Sequence, residues 1–302
     1  MEDGRGSLIG KIHTGPMPLG EGPVWDERVQ TLHWVDILAG TIFSQRTDDA
    51  SARKCDVGTE VGCIGLTEDP NRVVAALRSG WHWVDLETGR QEFIADPEAN
   101  RPDCRFNDGA VDPAGRMWTG TLQDGEINPI GALYRLGADL SVVKMDEGFL
   151  CANGIDWSPE GEWMYFVDSR RDAIFRYPFD AATGNLGERK LFVDTRAMPG
   201  IPDGISCDAD GMLWCAFWDG ANVTCFDPAG NVDLVVQVPA LRPTSIAFGG
   251  SDLRTLFVTS ASVGLSGEAL KRYPHSGSVM ALSVPRPGLA SNIFQAKHGG
   301  FL

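Results

Sequence analysis

The chain has 302 residues, 43% of them hydrophobic and 22% charged, the composition of a folded globular protein rather than a disordered one. A net charge of −15 repels phosphate, which argues against a nucleic-acid or anionic-membrane partner and leaves a neutral small molecule or a cation. The seven cysteines are odd in number and lack CxxC spacing, which speaks against a disulfide framework and against a cysteine-type zinc site. The opening MEDGRGSLIG has no basic region leading into an apolar run, so no signal peptide is expected. No stretch approaches the roughly 20 apolar residues that span a bilayer. The expected location is the cytoplasm.

Short runs of Val, Ile, Leu, Trp, Phe and Thr, bounded by Gly, Pro, Asp and Asn, fill the chain, and amphipathic helices are scarce. That is an all-β signature. A phrase recurs: a Gly or small residue, an apolar strand, an Asp/Pro/Gly turn, then a strand with an aromatic in it. In chain order the copies are GPVWDERVQTLHWVDI from Gly22, a weaker IGLTEDPNRVVAAL from Ile64, and GAVDPAGRMWTGT from Gly109. GIDWSPEGEWMYFVDS from Gly154, GISCDADGMLWCAFW from Gly204 and SIAFGGSDLRTLFVTS from Ser245 complete the series. Successive copies start about 40–50 residues apart, the period of a four-stranded propeller blade. Each copy supplies two strands, and the following segment, such as Ala132–Met145 or Ile174–Val193, supplies the outer two.

Six copies predict an all-β, six-bladed β-propeller occupying residues 1–302 as one domain. Ser7–Ile12 is expected to pair beside Ser278–Ser283, closing the ring without an exposed sheet edge. Thr121–Gly131 lacks a strand pattern and is expected to be a loop over one mouth of the channel.

Residues just before each innermost strand converge at one mouth of such a ring. That position reads Glu21, Cys63 or Ile64, Asn107 or Asp108, Asn153, Asp203 and Thr244. Taken singly, Asn-Gly and Asp-Gly pairs are turn formers, because Gly tolerates positive φ. Their coincidence at one repeat position argues for a site. Two carboxylates, Glu21 and Asp203, gather there with the amide oxygen of Asn153. Like charges buried together are costly unless a cation neutralises them. An all-oxygen set suits a hard cation such as Ca²⁺, Mg²⁺ or Mn²⁺. Three protein ligands leave positions open for water and substrate.

GEGPVW (20–25), RFNDG with DPAGRMWTGT (105–121), ANGIDWSPEG (152–161), IPDGISCDADGMLW (201–214) and FGG with LFVTSA (248–261) resemble the SMP-30/gluconolactonase family, which includes regucalcin and bacterial sugar lactonases. The match runs from Leu19 to about Pro285. The resemblance implies a six-bladed propeller that hydrolyses aldonolactones with a bound divalent cation. It implies metal ligands Glu21, Asn153 and Asp203, with Asp203 also the general base. It implies substrate contacts from Arg105 and Asn107, and it favours Asn107 over Asp108. In regucalcin-like members a glutamate follows the corresponding strand end. Here that register holds Gly125, with Glu126 one residue on as a further substrate contact.

The resulting expectation is a metal-dependent sugar lactonase: the cation polarises the lactone carbonyl, and Asp203 assists attack by water. Ca²⁺ is the expected occupant, with Mg²⁺, Mn²⁺, Zn²⁺ and Fe²⁺ as alternatives. The expected partner is a small sugar lactone, and the expected state a monomer or weak homo-oligomer. The rivals are another metal-dependent propeller esterase or phosphotriesterase, and a non-catalytic calcium-binding propeller. No GxSxG, HExxH or GxxxxGK[ST] occurs. The five histidines (13, 33, 82, 275, 298) are dispersed, with His33 and His82 expected to pack. Trp34, Trp118 and Trp214 are expected in the core; Trp81, Trp83 and Trp218 are weaker candidates for a sugar wall.

Overall fold

Apolar, β-branched and aromatic runs become strands, and the Asp/Asn/Gly clusters between them become turns. The computed structural model describes residues 7–13 and 15–296; His298 lies outside the described residues. Strand β1 is Ser7–His13. Blade 1 is β2 (Gly20–Asp26), β3 (Thr31–Asp36), β4 (Thr41–Arg46) and β5 (Arg53–Asp56). Blade 2 is β6 (Val61–Leu66), β7 (Arg72–Leu77), β8 (Gly80–Asp85) and β9 (Gln91–Ala95). Blade 3 is β10 (Cys104–Val111), β11 (Met117–Gln123), β12 (Gly131–Leu136) and β13 (Val142–Phe149). Blade 4 is β14 (Ala152–Trp157), β15 (Trp163–Asp168) and β16 (Ala173–Asp180), which carries a two-residue strand β17 (Asn185–Leu186) and pairs with β18 (Lys190–Asp194). Blade 5 is β19 (Ile201–Cys207), β20 (Leu213–Trp218), β21 (Asn222–Phe226) and β22 (Val232–Gln237). Blade 6 is β23 (Arg242–Gly249), β24 (Thr255–Ala261), β25 (Val279–Ser283) and, as its outer strand, β1.

The molecule is a six-bladed β-propeller, all antiparallel within each blade. The expected closure is present: β1 pairs antiparallel with β25, from Ser7 opposite Ser283 to His13 opposite Val279. The open segment predicted at Thr121–Gly131 is shorter, because β11 continues to Gln123 and leaves residues 124–130. The one α-helix among the described residues, α1 (Gly267–Arg272), lies in the β24–β25 connection, and none is long and apolar enough to cross a membrane.

The core lies between blades. In β15, Met164 and Phe166 pack toward blade 3 while Tyr165 and Val167 pack toward blade 5. The period-2 alternation of a strand therefore feeds two cores, and both faces are apolar. Trp34, Trp118 and Trp214 are fully buried, as expected. Trp81 and Trp83 are core residues too, packed between blades 2 and 3.

The repeated turn has a shared chemistry in blades 3 and 5. Asp112 Oδ1 accepts from Ala114 N (2.9 Å) and Arg116 N (3.0 Å), and its Oδ2 from Trp118 Nε1 (2.8 Å). Asp208 does the same with Asp210 N (3.0 Å), Met212 N (3.0 Å) and Trp214 Nε1 (2.9 Å). One buried carboxylate fixes the turn and satisfies the indole of the next strand. Asp208→Ala orphans all three donors and is expected to lower unfolding stability by about 2–4 kcal/mol. Urea denaturation checks this; a loss below about 0.5 kcal/mol would show that water replaces the carboxylate.

Candidate active site

Both faces of the inner strands are packed, so an inner-strand side chain reaches the channel mouth where the ladder breaks. Each innermost strand has such a break. Register shifts fall between Glu21 and Val24, Val61 and Cys63, Phe106 and Gly109, Asn153 and Ile155, Pro202 and Ile205, and Pro243 and Ile246. A bulge leaves residues out of the ladder and re-aims their side chains. The Asn-Gly and Asp-Gly pairs of the ring lie inside these strands rather than in turns. Their glycines answer to close approach between blades: a Cβ on Gly154 would stand 2.6 Å from the Asp203 carbonyl oxygen, and one on Gly204 2.2 Å from Ser245 Oγ.

A pocket of about 110 Å³ opens at this mouth, lined by Leu19, Glu21, Arg105, Asn107, Glu126, Cys151, Asn153, Ser169, Arg170, Ile201, Asp203 and Trp218. All six side chains singled out from the sequence meet there. Asp108, the alternative to Asn107, instead lines a second cavity of about 310 Å³ in the channel behind the ring. Two expected ring positions fail. Ile64 also faces the rear cavity, and Cys63 is buried in the core between blades 2 and 3. Thr244 is tied through Oγ1 to Gly20 O and Thr259 Oγ1. None of His13, His33, His82 and His275 lines the pocket; His33 and His82 are buried within blades 1 and 2. Trp218 does line it.

A chain of hydrogen bonds fixes one wall. Arg105 Nη1 donates to Asn107 Oδ1 (2.8 Å) and to Phe106 O (3.0 Å). Asn107 Nδ2 donates to Ala152 O (2.9 Å) and Asn153 Oδ1 (3.2 Å). Asn153 Nδ2 donates to Ser169 Oγ (3.0 Å), whose hydroxyl donates to Pro202 O (2.6 Å). A carbonyl can only accept, so Ser169 must give its proton to Pro202 and accept from Asn153. That leaves the amide oxygen of Asn153 as its remaining ligating atom. The sequence reading missed Ser169 and Arg170. A signal existed: Val-Asp ends β3 and β15 alike. Asp36 Oδ1 accepts from Leu19 N (3.3 Å) and Asp168 Oδ1 from Cys151 N (3.0 Å), so each Val-Asp ties the approach to its own inner strand, and Ser169 is the next residue after the second.

The carboxylates are short of partners. Asp203 Oδ1 is buried with no hydrogen bond, and Glu21 Oε2 accepts only from its neighbour Gly22 N (3.0 Å). Burial, then the charge of Asp108, holds the Glu21 proton well above the usual carboxylate range; burial, then the charge of Glu21, does the same to Asp203. Burial pushes Asp108 up to about 6. Among the described residues no three His, Cys, Asp or Glu side chains form a metal-ligand group. The amide oxygen of Asn153 lines the same pocket as the Glu21 and Asp203 carboxylates. An orphaned, buried carboxylate oxygen in an all-oxygen set fits a hard divalent cation.

Residues 19–262 match the sequence model of the SMP-30/Gluconolactonase/LRE-like region. The chain belongs to the SMP-30/gluconolactonase family. It is 39% identical over 280 residues to a 6-deoxy-6-sulfogluconolactonase of Pseudomonas putida, covering 92% of this chain and 96% of that relative. It is 34% identical over 279 residues to an L-arabinolactonase of Azospirillum brasilense, covering 91% and 92%. A solved structure of regucalcin from Agrobacterium tumefaciens, described as a calcium-binding protein, superimposes with a TM-score of 0.90 at 29% identity, over 95% of this chain and 97% of that one.

The raised carboxyls give this family member a pH-dependent stability without metal. The folded chain holds these protons more tightly than the unfolded chain does. Their contribution is therefore fully present below about pH 4 and is lost as pH rises through the raised values. In chelator at pH 8, Asp203→Asn is expected to gain about 1–3 kcal/mol of unfolding stability over wild type, with no gain at pH 4. Equal urea midpoints for the two proteins at pH 8 would show that the Asp203 charge is no burden.

Proposed function

We propose that this protein is a divalent-metal-dependent sugar lactonase, opening an aldono-1,4- or 1,5-lactone to its aldonic acid. The observation that carries this reading is the orphaned Asp203 carboxylate beside Glu21 and Asn153, on the floor of a small pocket in a chain whose relatives are named lactonases. The relatives' named substrates differ in the sugar, so they support the lactone class rather than one sugar. Glu21, Asn153 and Asp203 would hold the cation, with Ca²⁺ the first expectation. When bound, the cation supplies Lewis-acid polarisation of the lactone carbonyl.

The chain's own residues do the rest. Asp203 accepts a proton from the attacking water, whose oxygen bonds to the carbonyl carbon. The bond from that carbon to the ring oxygen breaks, and the ring oxygen leaves with a proton as a hydroxyl. Arg105 contacts substrate oxygens from the wall. Asn107 has committed both amide protons, so it acts by holding Asn153 and Arg105 and offers substrate only its oxygen. Glu126 approaches from the 124–130 loop. The reading takes the whole chain as one propeller in a reducing cytoplasm, supported by seven free cysteines. A second reading, cation binding without turnover, draws support from the calcium-binding description of the regucalcin neighbour.

The test is lactone hydrolysis by metal-stripped protein with Ca²⁺, Mg²⁺, Mn²⁺, Zn²⁺ or Fe²⁺ restored, using xylono-, arabinono-, galactono- and gluconolactones. Spontaneous hydrolysis is subtracted. Asp203→Ala is expected to lose on the order of 10³-fold in kcat/KM. Tight Ca²⁺ binding with no lactone turned over above background would move the protein to the second reading.

A further inference from the structure

We propose that the site takes lactones carrying an anionic group at the end away from the ester, and that Arg170 reads that group. The proposal deepens the lactonase reading and rests on it. Arg170 sits in the 3-10 turn Ser169–Arg171 that follows β15, and its side chain lines the pocket rim. The pocket is polarised. Glu21, Asn153 and Asp203 are buried at its inner end, Arg105 is nearly buried along its wall, and Arg170, half exposed, stands at its open end. A lactone whose carbonyl faces the buried acids turns its far end toward Arg170.

Among the described residues Arg105 has no carboxylate within hydrogen-bond distance, and Arg170 is held in a partly exposed ion pair. Arg105 is nearly buried and donates to two neutral oxygens, Phe106 O and Asn107 Oδ1. The carboxylate it faces, Asp124 Oδ1, is 4.0 Å away. Asp124 is already held by Arg78 through two bonds of 3.0 Å. Burial lowers the Arg105 pKa, so a further negative group beside it would stabilise its charge. Arg170 pairs with Glu126, across the pocket mouth from the 124–130 loop. That pair is open to solvent: the side chains are 51% and 23% exposed. Exposed ion pairs hold weakly. Glu126 is also held in the left-handed backbone region, at φ 54°. A substrate anion can therefore take the place of the Glu126 carboxylate at little cost, and it gains the planar, two-pronged donor geometry of a guanidinium. A neutral sugar would leave Arg170 on Glu126. With a net charge of −15 the whole molecule repels anions, so attraction must come from these local arginines.

Phosphate, sulfonate and carboxylate share this chemistry, and substrates can separate them. The metal-loaded full chain is assayed on glucono-1,5-lactone, on its 6-phospho and 6-deoxy-6-sulfo counterparts, and on a lactone bearing a terminal carboxylate. The readout is the ratio of kcat/KM for each anionic lactone to that of the neutral one. The wild-type ratio is expected to exceed one for at least one anion, and the highest identifies the group. Arg170→Gln is expected to lower that ratio about 10–100-fold, with Arg170→Lys partly restoring it. Calorimetric binding of 6-phosphogluconate and a sulfonate aldonate against gluconate reads the same preference without turnover. Ratios at or below one for every anion, or a ratio unmoved by Arg170→Gln, overturn the proposal while neutral turnover leaves the lactonase reading standing. Absence of any turnover strikes that reading instead, and the binding preference then decides the role of Arg170.

Discussion

Everything about this molecule follows from inner strands buried on both faces. Each blade is clamped between two neighbours, and six apolar cores form between sheets rather than within one. A strand in that position has no free face on which to display chemistry. The register shift in every innermost strand is the geometric answer. Where the ladder slips, a residue escapes the alternation that would otherwise commit it to a core. Glu21, Asn107, Asn153 and Asp203 all sit at such slips. Packing and function are thus settled within two residues of each other. Small residues follow for the same reason: Gly154 and Gly204 allow the next blade's backbone or side chain to come close.

The repeat was legible because each copy must solve the same packing problem with the same residue types. Asp112 and Asp208 stand at matching positions since a turn and an indole both need one carboxylate. The ring residues were legible for the opposite reason: they are polar where packing alone would ask for apolar residues. Blade 2 broke the pattern. Its slip falls between Val61 and Cys63, ahead of Ile64, and an apolar blade offers no polar marker for register. Ser169 and Arg170 escaped because they sit on a connection, where no periodicity constrains the side chain and only tertiary placement brings it to the mouth. Taken alone, the Asn153-Gly154 or Asp203-Gly204 dipeptide does not reveal whether its Gly serves a turn or a neighbouring chain.

Buried acids divide the structural from the functional. Asp112 and Asp208 are completely buried and accept from backbone and indole donors on both oxygens. Asp168 is equally buried and accepts from Leu150 N (3.2 Å) and Cys151 N (3.0 Å), with Arg171 at 3.0 Å. These carboxylates are satisfied inside the fold and have no capacity left for a ligand. Asp203 is nearly as buried yet has an oxygen with no donor, and its electrostatic neighbours are chiefly other acids. A fold stable enough to carry that deficit keeps a site that only an external cation or a proton completes.

The rear of the channel makes the site one-sided. Leu289, Ala290, Ser291 and Asn292 line the cavity behind the ring, and the same segment is pinned by Asn292 Nδ2 to Val111 O (2.9 Å), Phe294 N to Leu66 O (2.8 Å) and Gln295 N to Gly115 O (2.9 Å). These bonds join blades 2 and 3 across the end opposite the mouth, and Phe294 packs fully buried into the core between them. The mouth where Glu126 and Arg170 stand lies at the other end of the channel. The rear cavity is lined by Asp108 and Asp156, both pushed up to about 6 by burial, and the charge of Asp108 still reaches Glu21 and Asp203. At the mouth the exposed charges are those of Arg170 and Glu126, while Glu21, Asp203 and Arg105 lie deeper in the same pocket.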